Sequence, residues 1–164
     1  IRSGRAIRFP EGKVRAMGRT AAGVRAIRLS ENKEDKVVGI ICIKKPEQDV
    51  LVVSENGYGK RSKVDAYRIT NRGGKGVKTI NITEKTGKLI AIKAVTDKED
   101  LMIINKSGIT IRLSVAKLRI IGRAAQGVKV INLRGSDVIA SVTQVPKTED
   151  EVPENIDSVD DVKE

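Results

Sequence analysis

Aromatic side chains are nearly missing from this chain: 164 residues hold two tyrosines, one phenylalanine and no tryptophan. That scarcity argues against a β-propeller-like scaffold that binds proteins through aromatic anchors. It argues equally against a single-strand or RNA binder, which needs stacking platforms. Histidine is absent and cysteine occurs once, as Cys42. The usual zinc sites, any histidine-based triad and an internal disulfide are thereby excluded. Cys42 lies in the apolar run Val37 to Ile43 and reads as a buried, inert thiol. No stretch approaches the roughly 18 apolar residues of a membrane span, and no signal-peptide pattern is present, so the chain reads as soluble. The charge would suit an anionic membrane surface, but no amphipathic helix accompanies it.

What the chain has in excess is positive charge, +11 overall, distributed unevenly. Residues 1–146 carry 30 Lys and Arg against 13 Asp and Glu, a net +17, whereas residues 147–164 carry 2 against 8, a net −6. Such a body suits a polyanion, and the Pro-containing acidic end reads as a disordered tail.

A period organises the rest. Gly23, Gly76 and Gly127 stand 53 and 51 residues apart, and each follows an arginine by four residues (Arg19, Arg72, Arg123). Each also precedes Val, a cation and an apolar finish: Val24-Arg25 to Leu29, Val77-Lys78 to Ile82, Val128-Lys129 to Leu133. A fixed period of this size marks a modular array whose units bury a core only by stacking. In the middle unit, Val50 to Ser54 and Tyr58 to Val64 form a hairpin around Asn56-Gly57. After the longer connection Asp65 to Gly76 come strands Val77 to Ile82 and Lys88 to Thr96. The first unit repeats this at Arg5 to Phe9, Val24 to Leu29 and Val37 to Ile43, and the third at Leu101 to Asn105, Ile109 to Leu113, Val128 to Leu133 and Val138 to Val145. The expectation is an all-β, propeller-like array of about three four-stranded blades: 1–49 (incomplete at its start), 50–100 and 101–146, then the tail 147–164. The first unit lacks the apolar run that precedes Gly57 and Gly108, so the chain reads as a piece of a longer one.

Four cationic positions recur in all three units: Arg8/Arg61/Arg112, Arg15/Arg68/Arg119, Arg19/Arg72/Arg123 and Arg25/Lys78/Lys129. Alternation sets the first group beside the small residues Ala6, Gly59 and Thr110, a face that phosphates could approach closely. Repeated arginines can also be repeated structural ion pairs, but 13 acids cannot pair 30 cations. The last group shares a face with apolar residues, where long stems can pack and snorkel. The connection carrying Arg15, Arg19 and their equivalents is longer than a hairpin needs, which favours a functional loop or a crossover between sheets.

No catalytic constellation stands out. Gly73 to Thr79 lacks the spacing of a nucleotide-binding loop and precedes a strand, not a helix. Tyr67 aligns with Val14 and Leu118 and reads as a core or loop anchor.

Val14 to Arg19 with Gly23 to Leu29, Asn56 to Arg61 and Ile121 to Val128 closely resemble the C-terminal domain of bacterial DNA gyrase A, over residues 1 to about 146. That domain is a six-bladed β-pinwheel, and the resemblance implies that this chain is its C-terminal half. The family's box, Gln-Arg-Arg-Gly-Gly-Lys/Arg-Gly, has a degenerate copy at Thr70 to Gly76, and Lys75 within it joins the candidate DNA contacts. The true box would lie upstream. The resemblance further implies double-stranded DNA as partner, wrapped around a cationic rim without base specificity. The parent would be a cytoplasmic, nucleoid-associated ATP-dependent type II topoisomerase, assembled from the rest of gyrase A together with gyrase B, that introduces negative supercoils. ATP, Mg²⁺ and the cleavage tyrosine would be used elsewhere in the parent, leaving this chain no catalytic residue and no cofactor. The corresponding C-terminal domain of topoisomerase IV is the nearest alternative, with binding but without strong wrapping.

Overall fold

The computed structural model describes residues 1–31 and 34–147, so the expected acidic tail lies, apart from Lys147, outside the described residues. Strands form where β-branched residues meet turn glycines: β1 (Arg5–Ala6), β2 (Asp49–Ser54), β3 (Tyr58–Lys63), β4 (Val77–Lys78), β5 (Leu89–Val95), β6 (Glu99–Asn105), β7 (Thr110–Ser114), β8 (Val128–Lys129) and β9 (Ile139–Pro146). Single 3₁₀ turns at Glu11–Lys13, Val64–Ala66 and Val115–Lys117 follow the second strand of each repeat. No α-helix occurs among the described residues, as expected for an all-β chain.

The repeat in sequence is not the sheet in space. β2 pairs with β3 and β5 inside the middle repeat, but β3's outer edge is taken by β8 from the third repeat, giving the order β5-β2-β3-β8. β4 of the middle repeat likewise leaves its own sheet and pairs with β1 of the first, Ala6 opposite Val77. The long connection is thus a crossover, and the middle and third repeats each hand one strand back to their predecessor. The third repeat forms a three-stranded sheet, β7-β6-β9.

The glycine of each Gly-Val pair makes the crossover possible. Gly76 has φ +67°, and a Cβ there would stand 2.4 Å from the Ala6 carbonyl oxygen; Gly127 has φ +87°, and its Cβ would stand 2.8 Å from that of Gly59. Left-handed backbone and close approach together exclude any side chain.

Both faces of β2 are buried, so its run of apolar residues divides between two cores. Leu51 and Val53 join Leu101, Ile103, Val115 and Leu118 toward the third repeat. Val50 and Val52 join Val64, Tyr67, Ile80 and Leu89 toward the first. Tyr67 is the anchor its alignment suggested: it is buried, and its hydroxyl lies 2.5 Å from Thr79 Oγ1.

Three expectations need correction. Val24 to Leu29 and Val37 to Ile43 form no strands. By register, Val37 to Ile43 would pair with an equivalent of β2 that falls before residue 2, and Val24 with a strand of a preceding repeat, so neither has its partner here. Cys42 is exposed for the same reason. The third strands of the other repeats are two residues long, because only Val77–Lys78 and Val128–Lys129 reach the neighbouring ladder.

Candidate nucleic-acid interface

The recurrent cations separate into those that hold the array together and those that point away from it. Arg8 and Arg61 belong to the first kind. Arg8 Nη1 donates to the carbonyls of Val64 (3.0 Å) and Tyr67 (3.1 Å), capping the 3₁₀ turn of the next repeat, with Asp65 at 3.7 Å. Arg61 repeats the motif one period on, Nε donating to Leu118 O at 3.1 Å and Nη1 to Asp97 at 2.5 Å, with Asp49 at 3.7 Å. The Arg61 hydrogen bond and charge hold the Asp97 carboxyl below its ordinary range. The Arg61 side chain is 6% exposed. Its expected role as a phosphate contact is therefore corrected: it is a buried fastener between repeats.

Arg72 and Arg123 form a second set of fasteners, pointing backward. Arg72 donates from Nε to Lys13 O and from Nη1 to Arg25 O, both at 3.2 Å. Arg123 donates to Ala66 O at 3.0 Å and to Lys78 O, the same two positions of its own predecessor. The shortage of carboxylates thus says little about how many arginines are engaged, since backbone carbonyls supply the acceptors. Arg112 instead pairs within its sheet, with Asp100 at 2.8 Å and Pro146 O at 3.2 Å.

Lys60, absent from the recurrent set, is a fastener too. Fully buried, its ammonium donates to Ser62 Oγ (3.1 Å), Gly122 O (2.9 Å) and Arg123 O (2.6 Å). Burial, reinforced by the Arg123 charge, pulls its pKa down to about 8. Ile7 and Ile111 hold the same position in the other repeats, which is why no three-copy pattern announced it.

The remaining cations are exposed. Arg15, Arg68 and Arg119 each follow the residue that closes a 3₁₀ turn, and the next residues, Ile69 and Ile120, bridge in parallel to Arg8 and Arg61 of the preceding repeat. Arg68 and Arg119 therefore occupy the same place on successive repeat junctions. Arg68 and Lys75, with Arg8, Thr70 and Asn71, line a cleft of about 150 Å³ floored by Gly74 and Gly76. Arg19, Arg25 and Lys129 are exposed as well, and Lys78 reaches only Asn81 Oδ1 at 3.3 Å. Lys13 and Lys117, exposed at the ends of the first and third turns, add to this surface. They escape a search keyed to all three repeats because the middle one has Ala66 there.

Among the described residues, no group of three or more His, Cys, Asp or Glu could hold a metal ion, and no helix is long and apolar enough to cross a membrane. The exposed side chains offer charge and hydrogen-bond donors to an anion with repeated acceptors.

Three comparisons bear on this geometry. The family model of the DNA gyrase C-terminal domain, beta-propeller, matches residues 2–44, 48–96 and 99–146. DNA gyrase A of Staphylococcus aureus is 48% identical over 160 residues, covering 96% of this chain and 18% of that protein. The chain thus spans about a fifth of the length of the curated relatives it matches. A solved DNA gyrase A C-terminal domain superposes with a TM-score of 0.78 at 28% identity, covering 87% of this chain and 48% of that one. The C-terminal domain of a DNA topoisomerase IV gives 0.81 at 21% identity, over 88% and 45%, a likeness of fold. With the repeat, the exchanged strands and a family match across nearly all the described residues, the chain belongs to the DNA gyrase C-terminal β-propeller family.

Proposed function

We propose that this chain binds double-stranded DNA through its phosphates and bends it along the line of repeat junctions. The reading rests on one observation: the side chains of Arg68 and Arg119 recur at equivalent junctions, exposed and without a hydrogen-bond or ion-pair partner among the described residues, while the neighbouring recurrent arginines are engaged in holding the array. Arg15, Lys75, Arg25, Lys78 and Lys129 extend the surface, with Lys13 and Lys117. Contacts of this kind give affinity without base readout. Bending a 20–30 base-pair segment costs about 1–6 kcal/mol, which contacts at successive junctions must offset. Preference should follow DNA length and flexibility.

In the parent protein, the bound segment would be wrapped and presented for strand passage by an ATP-dependent type II topoisomerase, with the rest of gyrase A and with gyrase B as partners, in the cytoplasm at the nucleoid. The chemistry, with ATP and Mg²⁺, would lie outside this chain.

The test is a salt titration of binding to a duplex of random sequence. Arg68→Ala and Arg119→Ala should each lower the salt slope by about 0.9 for every phosphate no longer neutralised, equally for unrelated sequences. An unchanged slope in both would remove them from the interface. Ligating a nicked plasmid with saturating protein reads the bend: a shifted linking number supports chiral wrapping, and binding without a shift favours the plain duplex binder of the topoisomerase IV alternative.

A further inference from the structure

The crossovers of the middle and third repeats, 65–76 and 116–127, each leave one large apolar side chain in solvent, at the same repeat position: Ile69, 61% exposed, and Ile120, 47% exposed. Neither exposure comes from an end of the chain. The third repeat docks on the middle one and leaves Ile69 uncovered, and the middle repeat precedes the third and leaves Ile120 uncovered. The segments are also held in place. Ile69 bridges to Arg8 and Ile120 to Arg61, and the residue after each donates its N–H to that arginine's carbonyl, Thr70 at 2.9 Å and Ile121 at 2.8 Å. Fixed backbone thus presents a branched apolar group to water at both junctions.

Each isoleucine directly follows one of the two unengaged arginines, Arg68 and Arg119. Single exposed apolar residues are ordinary on a protein surface. The same residue beside the same cation at both junctions calls for an apolar partner that arrives together with phosphates. A duplex supplies one. Between its phosphate rows the minor groove is walled by sugar carbons, and bending toward the protein narrows that groove where it faces the surface. Isoleucine has neither donor nor acceptor, so it suits a deoxyribose C–H edge and penalises a hydroxyl there. An RNA 2′-OH covered by it would lose water without gaining a partner.

We propose that Ile69 and Ile120 are the sugar contacts of this surface: they pack on deoxyribose beside the phosphates that Arg68 and Arg119 hold, and so select duplex DNA over duplex RNA. This rests on the reading of the surface as a duplex-DNA binder. The arginines alone do not make the choice, since both duplexes carry the same phosphates. They supply the salt-dependent part of the affinity. The isoleucines add a part that salt leaves unchanged, because an apolar contact releases no counterions.

The experiment compares binding of the whole chain to DNA and RNA duplexes of one sequence, about 30 base pairs long, across a salt series. Two double variants accompany the wild type, Ile69→Val with Ile120→Val and Ile69→Thr with Ile120→Thr. Valine and threonine share a branched shape and differ by a methyl against a hydroxyl, and exposed positions tolerate both. The wild type and the valine variant should prefer DNA by about tenfold, and the threonine variant should lose that preference, with parallel salt slopes on DNA. A wild type that binds both duplexes equally, valine and threonine variants with the same DNA-to-RNA ratio, or a lowered slope in the threonine variant would each overturn the sugar contact and leave phosphate binding in place. A wild type that binds no DNA would instead overturn the duplex-binding reading, and this inference with it.

Discussion

Arg61 donates to the carbonyl of Leu118, 57 residues away in sequence, and in doing so binds the second strand of one repeat to the turn of the next. It is a buried cation held by one neutral acceptor and two carboxylates, Asp97 and Asp49. Arg119, one residue beyond Leu118, is exposed and has no such duty.

Two arginines that look alike in the repeat should therefore behave oppositely. Arg61→Ala removes the fastener to Leu118 and leaves buried Asp49 with Lys63 alone, at 3.0 Å, and should lower stability by roughly 1–3 kcal/mol, whereas Arg119→Ala should stay within about 0.5 kcal/mol of wild type. Urea unfolding of both checks the pair; equal losses would contradict the division between fasteners and free cations.

Gly127→Ala forces a side chain into left-handed backbone and against Gly59 O, and should cost on the order of 2 kcal/mol or more. Gly23→Ala meets the same backbone strain in open space, so it should cost less, about 1 kcal/mol. The difference between the two unfolding free energies measures the close approach itself.

Lys60 links stability to pH in the alkaline range. Its folded pKa of about 8 lies below the ordinary 10.5, so the folded state releases this proton first. Its contribution is least favourable below pH 8, where it is charged in both states, and improves as pH rises from about 8 toward 10.5. Relative to Lys60→Met, the wild type should gain on the order of 3 kcal/mol across that window. Thermal unfolding of both proteins from pH 7 to 10.5 reads the difference, and parallel curves would refute it.

Asp35 works in the acid range. Burial alone would raise its carboxyl, but hydrogen bonds from Ser30 and from the Ser3 backbone and hydroxyl outweigh that and hold it at about 2. The stabilisation is present above the unfolded value of 3.8 and is lost as pH falls toward 2. Asp35→Asn should remove about 2 kcal/mol at neutral pH and flatten the acid limb between pH 4 and 2, as measured by denaturant unfolding at stepped pH.

The Gly-Val pairs 53 and 51 residues apart made the repeat array legible, and the β-branched runs between turn residues made it all-β. The exchange of strands was only half legible. A long connection pointed to a crossover, but β4 and β8 are two residues each, too short for any alternation to show. The candidate site was read through charge counting, which sees carboxylates and misses carbonyls; Arg61, Arg72 and Arg123 find acceptors 45 to 59 residues away that composition does not register. Lys60 was invisible for the opposite reason, being a single departure from isoleucine at its repeat position.

Strand exchange also governs how such a chain can change over generations. Apart from Lys60, the two formed junctions share their arginine fasteners and glycine approaches displaced by one period, so inserting or removing a whole period would keep that pattern of contacts. A gain or loss of a few residues inside the crossover would shift Gly76 or Gly127 off the one carbonyl it is shaped to meet. The contour offered to a long ligand can thereby lengthen or shorten by a unit without a new interface having to be invented.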